Sequence, residues 1–268
     1  MRWACGAAAI AVVLVVSGCS AAGTATPEPE ASALAEIFPA GAVADYQLGG
    51  AYPPPDGVTV VARDSTEQPA EGLYNICYVN GFQTQPGVAW LDEMVLHDAS
   101  GAPLMDPNWP DESIIDIRVA GAAERIDTMT DQCAAAGFDA VEFDNLDSYT
   151  RSAGQLTLDD AIAFATRLVE HAHSLGLAAG QKNTAQLGAT GPDVIGFDFA
   201  IVEECDQFEE CGDYTEVYGS AVIDIEYTDE LRRPFDEVCA DPATPESTIL
   251  RDRDLTPAGS AGYEYAHC

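Results

Sequence analysis

Lysine is almost missing from this chain of 268 residues: Lys182 is the only one, and every other basic side chain is arginine. Against 11 basic residues stand 45 acidic ones, for a formal net charge of −34. So acidic a surface repels phosphate backbones and anionic headgroups, so nucleic acid and anionic lipid surfaces are not expected as partners and a cationic substrate is favoured. The same charge would also serve solubility or a salty habitat, and by itself it assigns no function. Other absences narrow the chemistry. There is no Cys-x-x-Cys pair and no histidine cluster at zinc spacing, so no metal is expected. A Ser or Cys nucleophile with a nearby His base, a phosphate-cradling glycine loop and a dinucleotide fingerprint are all missing, and no cofactor is expected.

No apolar run is long enough to span a bilayer. Arg2 followed by the apolar stretch 7–16 reads as a signal sequence, and Val16-Ser17-Gly18-Cys19 resembles a bacterial lipobox. Residues 1–19 are therefore expected to be a lipoprotein signal peptide cut before a lipidated Cys19; an ordinary secretory signal cut near Ala21 or Ala22 is the alternative. Either way the protein is expected to be exported, lipid-anchored on the outer face of the cell membrane or secreted. Residues 20–33, rich in Ala, Thr, Pro and Glu, read as a disordered tether, and residues 34–268 as one domain. A monomer is expected. Setting residues 1–19 aside takes away Arg2 alone among the charged residues and leaves 249 residues (268 less 19), about the length of one (β/α)8 barrel, roughly 250. Beyond Cys5 and Cys19 the cysteines are Cys77, Cys133, Cys205, Cys211, Cys239 and Cys268, an even count that in an exported protein favours disulfides. Cys205 and Cys211 are close enough to close a small loop.

Short apolar runs alternate with helical patterns. Strands are expected at 43–48, 58–62, 73–79, 113–117, 138–143, 177–181, 197–202 and 221–225. Ala122, Ile126, Met129 and Cys133 form a helical stripe stopped by Gly137. Thr157 with Asp160 resembles a capping box opening a second helix, with His171 and His173 in its last turn, where they read as surface residues at the helix end. A third helix is expected around 214–218 and a last one near Asp229. Strands alternating with helices imply a mainly parallel sheet, and eight of them imply a single-domain α/β fold, the (β/α)8 TIM barrel.

Polar residues gather at the ends of these strands: Asp64, Tyr78, Asp116, Asp144, Asn145, Lys182, Asn183, Glu203 and Glu226. In a closed barrel those ends meet on one face, where such enzymes carry their chemistry. The strand ending Val141-Glu142-Phe143-Asp144 aims Glu142 and Asp144 the same way, and two carboxylates are expensive to bury without a partner or a task. A salt-bridged strand end or a Ca²⁺ loop would be the bland reading, but the loop lacks the glycine and distal Glu of an EF-hand. Paired carboxylates with no other nucleophile suit glycoside hydrolysis. Trp90 and Trp109, on a long loop, would suit sugar stacking or a local hydrophobic plug about equally.

The stretch Val-Glu-Phe-Asp-Asn-Leu-Asp-Ser-Tyr at 141–149 resembles the Val-Glu-Pro-Asp-Asn-Val-Asp-Gly-Tyr signature of glycoside hydrolase family 114, the endo-α-1,4-polygalactosaminidase family with a (β/α)8 barrel. Further matches run in order: Ile76-Cys77-Tyr78, Ile115-Asp116-Ile117-Arg118, Ala172-His173-Ser174-Leu175-Gly176-Leu177, Lys182-Asn183, Glu203-Glu204-Cys205 with Cys211, and Ile225-Glu226-Tyr227. The resemblance implies Asp144 as nucleophile and Glu203 as acid/base. Together with the strand-end convergence, the matched motifs give an expected substrate-binding set of Asp64, Tyr78, Asp116, Glu142, Asn145, Asp147, Lys182, Asn183, Glu226 and Tyr227. The resemblance also favours a Cys205–Cys211 bridge. Cys239 with Cys268 is expected to tie down the tail, leaving Cys77 and Cys133 to pair or to remain thiols. Departures are Val61 in place of a common Asp, the segment 79–83 after Tyr78, and Phe143 in place of Pro. The expected function is a retaining endo-glycosidase cutting an α-1,4-linked galactosamine-containing polysaccharide. A non-catalytic surface lipoprotein binding a cationic polysaccharide, and a neutral-sugar glycosidase, are the alternatives. Lys182 is expected to lean toward Asp144 rather than Glu203.

Overall fold

The computed structural model describes Met1 and residues 37–268. The signal sequence, the lipidation of Cys19 and the tether over 20–33 lie outside the described residues. Eight parallel strands follow one another in space as in sequence: β1 (Ala44–Gln47), β2 (Val60–Asp64), β3 (Tyr74–Asn80), β4 (Ala140–Asp144), β5 (Ala178–Lys182), β6 (Phe199–Glu203), β7 (Val222–Tyr227) and β8 (Ser247–Arg251). A short β9 (Tyr265–His267) adds antiparallel to β8. Helices α1 (Ala120–Ala136), α2 (Leu158–Ser174), α3 (Cys211–Tyr218) and α4 (Phe235–Cys239) follow β3, β4, β6 and β7 in the chain. The architecture is a nearly closed single-domain (β/α)8-type barrel, as the alternating pattern implies.

The barrel has two apolar layers. Inside, alternate residues such as Ala62, Ile76, Ala140, Ile201, Ile223 and Ile249 fill the lumen, and Phe38 stacks on Phe199 at the N-terminal end with centroids 4.6 Å apart. Gly180 is required there, because a β-carbon would sit 2.7 Å from the Phe199 ring. Outside, Val79, Val141 and Phe143 face the stripes of α1 and α2, including Ile126, Phe164 and Leu168. Gly137, at φ 91°, ends α1 in the left-handed conformation that glycine adopts without strain. Thr157 and Asp160 form the expected capping box of α2.

Between β1 and β8 no backbone ladder forms among the described residues. Side chains hold the seam instead. Arg251, fully buried, donates from Nη1 to Asp45 Oδ1 at 2.9 Å and to the Tyr46 carbonyl, and Tyr265 OH donates to the Ala44 carbonyl at 2.9 Å.

Two strand expectations need correction. Residues 113–117 are no barrel strand. Ile114 and Ile115 are fully buried, but they make single antiparallel bridges to Gln83 and Val95 within the long excursion between β3 and α1. The eighth strand is instead 247–251, a segment with one inward isoleucine. The disulfides are Cys77–Cys133, pinning α1 to β3, Cys205–Cys211 at the start of α3, and Cys239–Cys268, tying α4 to the chain after β9.

Candidate active site

The C-terminal strand ends open into a cavity of about 650 Å³, within the range of small-molecule sites. Asp64, Tyr78, Asp144, Asn145, Asp147, Lys182, Asn183, Glu203 and Tyr227 all line it. At its floor lies Lys182. Its Nζ is 3.0 Å from Glu142 Oε1 and from Tyr46 OH, and 3.4 Å from both Asp144 Oδ1 and Glu203 Oε2. It therefore does not lean toward Asp144; the two carboxylates share it equally.

Alternation along the strands builds this cluster. Tyr46, Tyr78, Glu142, Asp144, Lys182, Glu203 and Tyr227 share the inward face of β1, β3, β4, β5, β6 and β7. Phenols fix the outer oxygens: Tyr78 OH donates to Asp144 Oδ2 at 2.6 Å, and Tyr227 OH to Glu203 Oε1 at 2.5 Å. Burial holds the Tyr46, Tyr78 and Tyr227 hydroxyls well above their ordinary range, so they stay protonated donors. Burial alone would pull the Lys182 ammonium down, but Asp144, Glu142 and Glu203 outweigh it and keep it charged far above its usual value. Burial pushes Glu142 up to about 7; Lys182 opposes that shift and Asp144 adds to it.

The chain turns sharply as it leaves three of these strands. Asn145, Asn183 and Glu204 each follow a strand's last residue and each has positive φ, 62°, 44° and 61°. Backbone strain of this kind collects where surrounding structure fixes a site. The Asn145 N–H donates to Asp144 Oδ1 at 2.7 Å. Asn183 brackets Glu203, accepting its backbone N–H at 2.8 Å and donating to Oε2 at 3.3 Å.

Three members of the expected binding set stand elsewhere. Glu142 has no exposed surface and lies beneath Lys182, so it supports the site and cannot touch a sugar. Glu226 points outward from β7, where its Oε1 accepts the Asp206 N–H at 2.8 Å; alternation lets Tyr227 face the cavity and forbids its neighbour. Asp116 is outside the cavity, held by Arg118 Nε at 2.8 Å and Nη2 at 2.9 Å. The tryptophans divide. Trp109 lines the cavity with 57% of its surface exposed, whereas Trp90 is a packing residue under Arg125.

Sequence reasoning missed Tyr46, Asn80, Glu112, Arg151 and Arg253. Glu112 and Trp109 come from the excursion between β3 and α1, which walls one side of the cavity. Arg151 grips Asp147 at 2.7 Å and Asp106 at 2.5 Å, and Arg253 grips Glu204 at 2.7 Å while lying 4.5 Å from the Tyr227 ring. Only β8, which the sequence pattern hid, could have pointed to Arg253.

A pair of carboxylates facing one ammonium inside a barrel mouth is an arrangement able to attack and protonate a glycosidic bond. Comparison agrees with that chemistry. The sequence model of glycoside-hydrolase family GH114 matches residues 24–268. Among solved structures, Aspergillus fumigatus Ega3 in complex with galactosamine aligns with a TM-score of 0.71 at 21% identity, over 87% of this chain and 98% of that one. The glycoside hydrolase domain of PelA from Pseudomonas aeruginosa aligns with a TM-score of 0.55 at 13% identity, over 83% and 99%. Curated proteins gave no sequence match. The two structures share the fold, and the family match takes in every strand and the whole cavity lining: the protein is a glycoside hydrolase and belongs to family GH114.

Proposed function

We propose that this enzyme is a retaining endo-glycosidase that cuts an α-1,4-linked, partly deacetylated galactosamine polymer, with Asp144 as nucleophile and Glu203 as acid/base. One observation carries the stereochemical part. Asp144 Oδ1 and Glu203 Oε2 are each 3.4 Å from Lys182 Nζ, so these oxygens are at most twice that distance apart. Carboxyl groups about 5 to 5.5 Å apart permit direct attack, whereas roughly 6.5 to 9.5 Å leaves room for a water and gives inversion. One ammonium shared between the facing oxygens of the two carboxyl groups supports the shorter spacing and the retaining reading.

In the first step Asp144 attacks the anomeric carbon, the glycosidic C–O bond breaks, and Glu203 gives its proton to the departing oxygen. In the second, Glu203 takes a proton from water as the water oxygen attacks the same carbon and releases Asp144. Tyr227 OH donates to Glu203 Oε1, and Lys182 lies 3.4 Å from its Oε2. Glu142, Asp144 and Glu203 share that one ammonium, and of the three Glu142 is pushed up by burial to about 7. The substrate class rests on charge: the cavity is lined by Asp64, Glu112, Asp147 and Glu204 as well, a setting suited to ammonium-bearing sugars. Ega3 was crystallised with galactosamine, which agrees. Export as a Cys19 lipoprotein acting as a monomer belongs to the same reading, and mass spectrometry of the mature N-terminus tests it.

The decisive experiment is release of short oligomers from purified polygalactosamine. Binding without release would favour a non-catalytic polysaccharide-binding lipoprotein.

A further inference from the structure

The charges around the cavity are unevenly compensated. Glu204 is held by Arg253 through Nη1 at 3.2 Å and Nη2 at 2.7 Å, and Asp147 by Arg151 at 2.7 Å. By contrast, neither Asp64 nor Glu112 has an ion-pair partner among the described residues. Asp64 has both oxygens occupied by neutral donors, Thr66 and Gln85. Glu112 has one occupied: Asn80 Nδ2 donates to Oε2 at 2.9 Å, and Oε1 takes no hydrogen bond from the described residues.

Asn80 also ties Glu112 to the catalytic cluster. Its Oδ1 accepts from Asn145 Nδ2 at 3.1 Å, and Asn145 in turn donates its N–H to Asp144. Two amide side chains therefore separate Glu112 from Asp144. The Glu112 N–H donates to the Trp109 carbonyl at 2.9 Å, so an exposed ring and a half-committed carboxylate stand on one wall. Asn80 belongs to the segment 79–83, where the chain departs from the family resemblance.

We propose that Glu112 selects for a free amino group on the sugar, its Oε1 accepting an N–H of the substrate ammonium while Asn80 holds the other oxygen and Trp109 offers its face to the ring. This rests on the polygalactosaminidase reading and names the side chain that would enforce it. Burial pushes the Glu112 carboxyl up to about 7; Asn80 opposes that, and the charges of Asp144, Asp111 and Asp106 add to it. Arg151, beside Asp106, is engaged with Asp106 and Asp147. The cation that Glu112 lacks is one the substrate can bring. An N-acetyl group in its place offers an amide and no charge, and leaves the carboxylate uncompensated.

The test compares wild type with Glu112→Gln and Glu112→Asp on fully deacetylated polygalactosamine and on the same polymer after chemical N-acetylation, with kcat and KM measured separately and folding checked by circular dichroism. Glu112→Gln is expected to raise KM on the deacetylated polymer about tenfold or more, the fold-change of one charge-assisted hydrogen bond, with a far smaller effect on the acetylated one. Glu112→Asp, which keeps the charge, is expected to retain part of the preference. An unchanged ratio of kcat/KM between the two polymers in a folded Glu112→Gln variant overturns this inference alone. If the wild type cuts neither polymer, the reading of the reaction falls and takes this inference with it.

Discussion

Lys182 and Glu142 meet at 3.0 Å with neither side chain more than 3% exposed, so the only ammonium in the chain sits on a carboxylate no substrate can reach. Glu142 is thus the fixed counter-ion of Lys182, and Asp144 and Glu203 share what remains of its field.

Removing one partner of such a pair leaves the other buried without compensation, at about 3–5 kcal/mol. Lys182→Met should lower stability by an amount of that order in urea unfolding, less whatever protonation of Glu142 recovers. The double variant Glu142→Gln/Lys182→Met should be more stable than Lys182→Met alone, and both should lack turnover. A double variant no more stable than the single one would show that Glu142 is not the group left exposed to the loss.

The folded-state pKa of Glu142, about 7, lies above its ordinary 4.5, so the folded protein holds a proton that the unfolded chain releases. Stability from this group is therefore greatest below about 4.5 and falls as pH rises toward 7. Glu226, raised by burial to about 7, acts in the same direction. Melting temperatures across that window should decline in the wild type and decline less in Glu142→Gln.

Asp144→Asn and Glu203→Gln keep shape and remove a charge. Each should reduce kcat on the order of 10³-fold or more with an unchanged circular dichroism spectrum. NMR of the first product should give the α-anomer from an α-linked polymer; first release of the β-anomer would rule out retention.

Asp116→Ala and Glu226→Gln make the opposite test. Both residues lie outside the cavity, so kcat/KM should stay within about twofold of wild type, the range of a surface or structural change away from the site. A large loss from either would place it back among the binding residues.

The Cys239–Cys268 bridge closes a loop of sequence separation 29 next to the barrel seam. Replacing both cysteines with serine should cost about 3.6 kcal/mol by the chain-entropy relation, read from denaturant unfolding. Activity at low temperature should persist, because the bridge is remote from Lys182.

Much of the site was legible because it obeys a simple rule: inward residues at strand ends converge. Asp144, Lys182, Glu203 and Tyr227 follow it directly. The errors came where the rule needs more than local pattern. Glu226 and Tyr227 are adjacent, and only the register of β7 decides which faces inward. Residues 113–117 carry three isoleucines and look like a buried strand, and they are buried, but against the excursion rather than in the sheet. The strand 247–251 was invisible because it ends in a fully buried arginine, a residue whose place is set by Asp45 and Tyr46 some two hundred positions earlier. Glu112 lies in a long segment with no periodicity, and only the folded chain brings it beside Asn80.

The single buried lysine also makes this enzyme its own reporter. Apart from the α-amino group, amine-directed reagents have one target, and it lies beneath the two carboxylates proposed to act on the sugar. Isotope-enriched methylation of that amine would place one NMR signal at the floor of the cavity. Its resistance to modification, and the protection a bound oligosaccharide adds, would measure how well the surrounding side chains shield it.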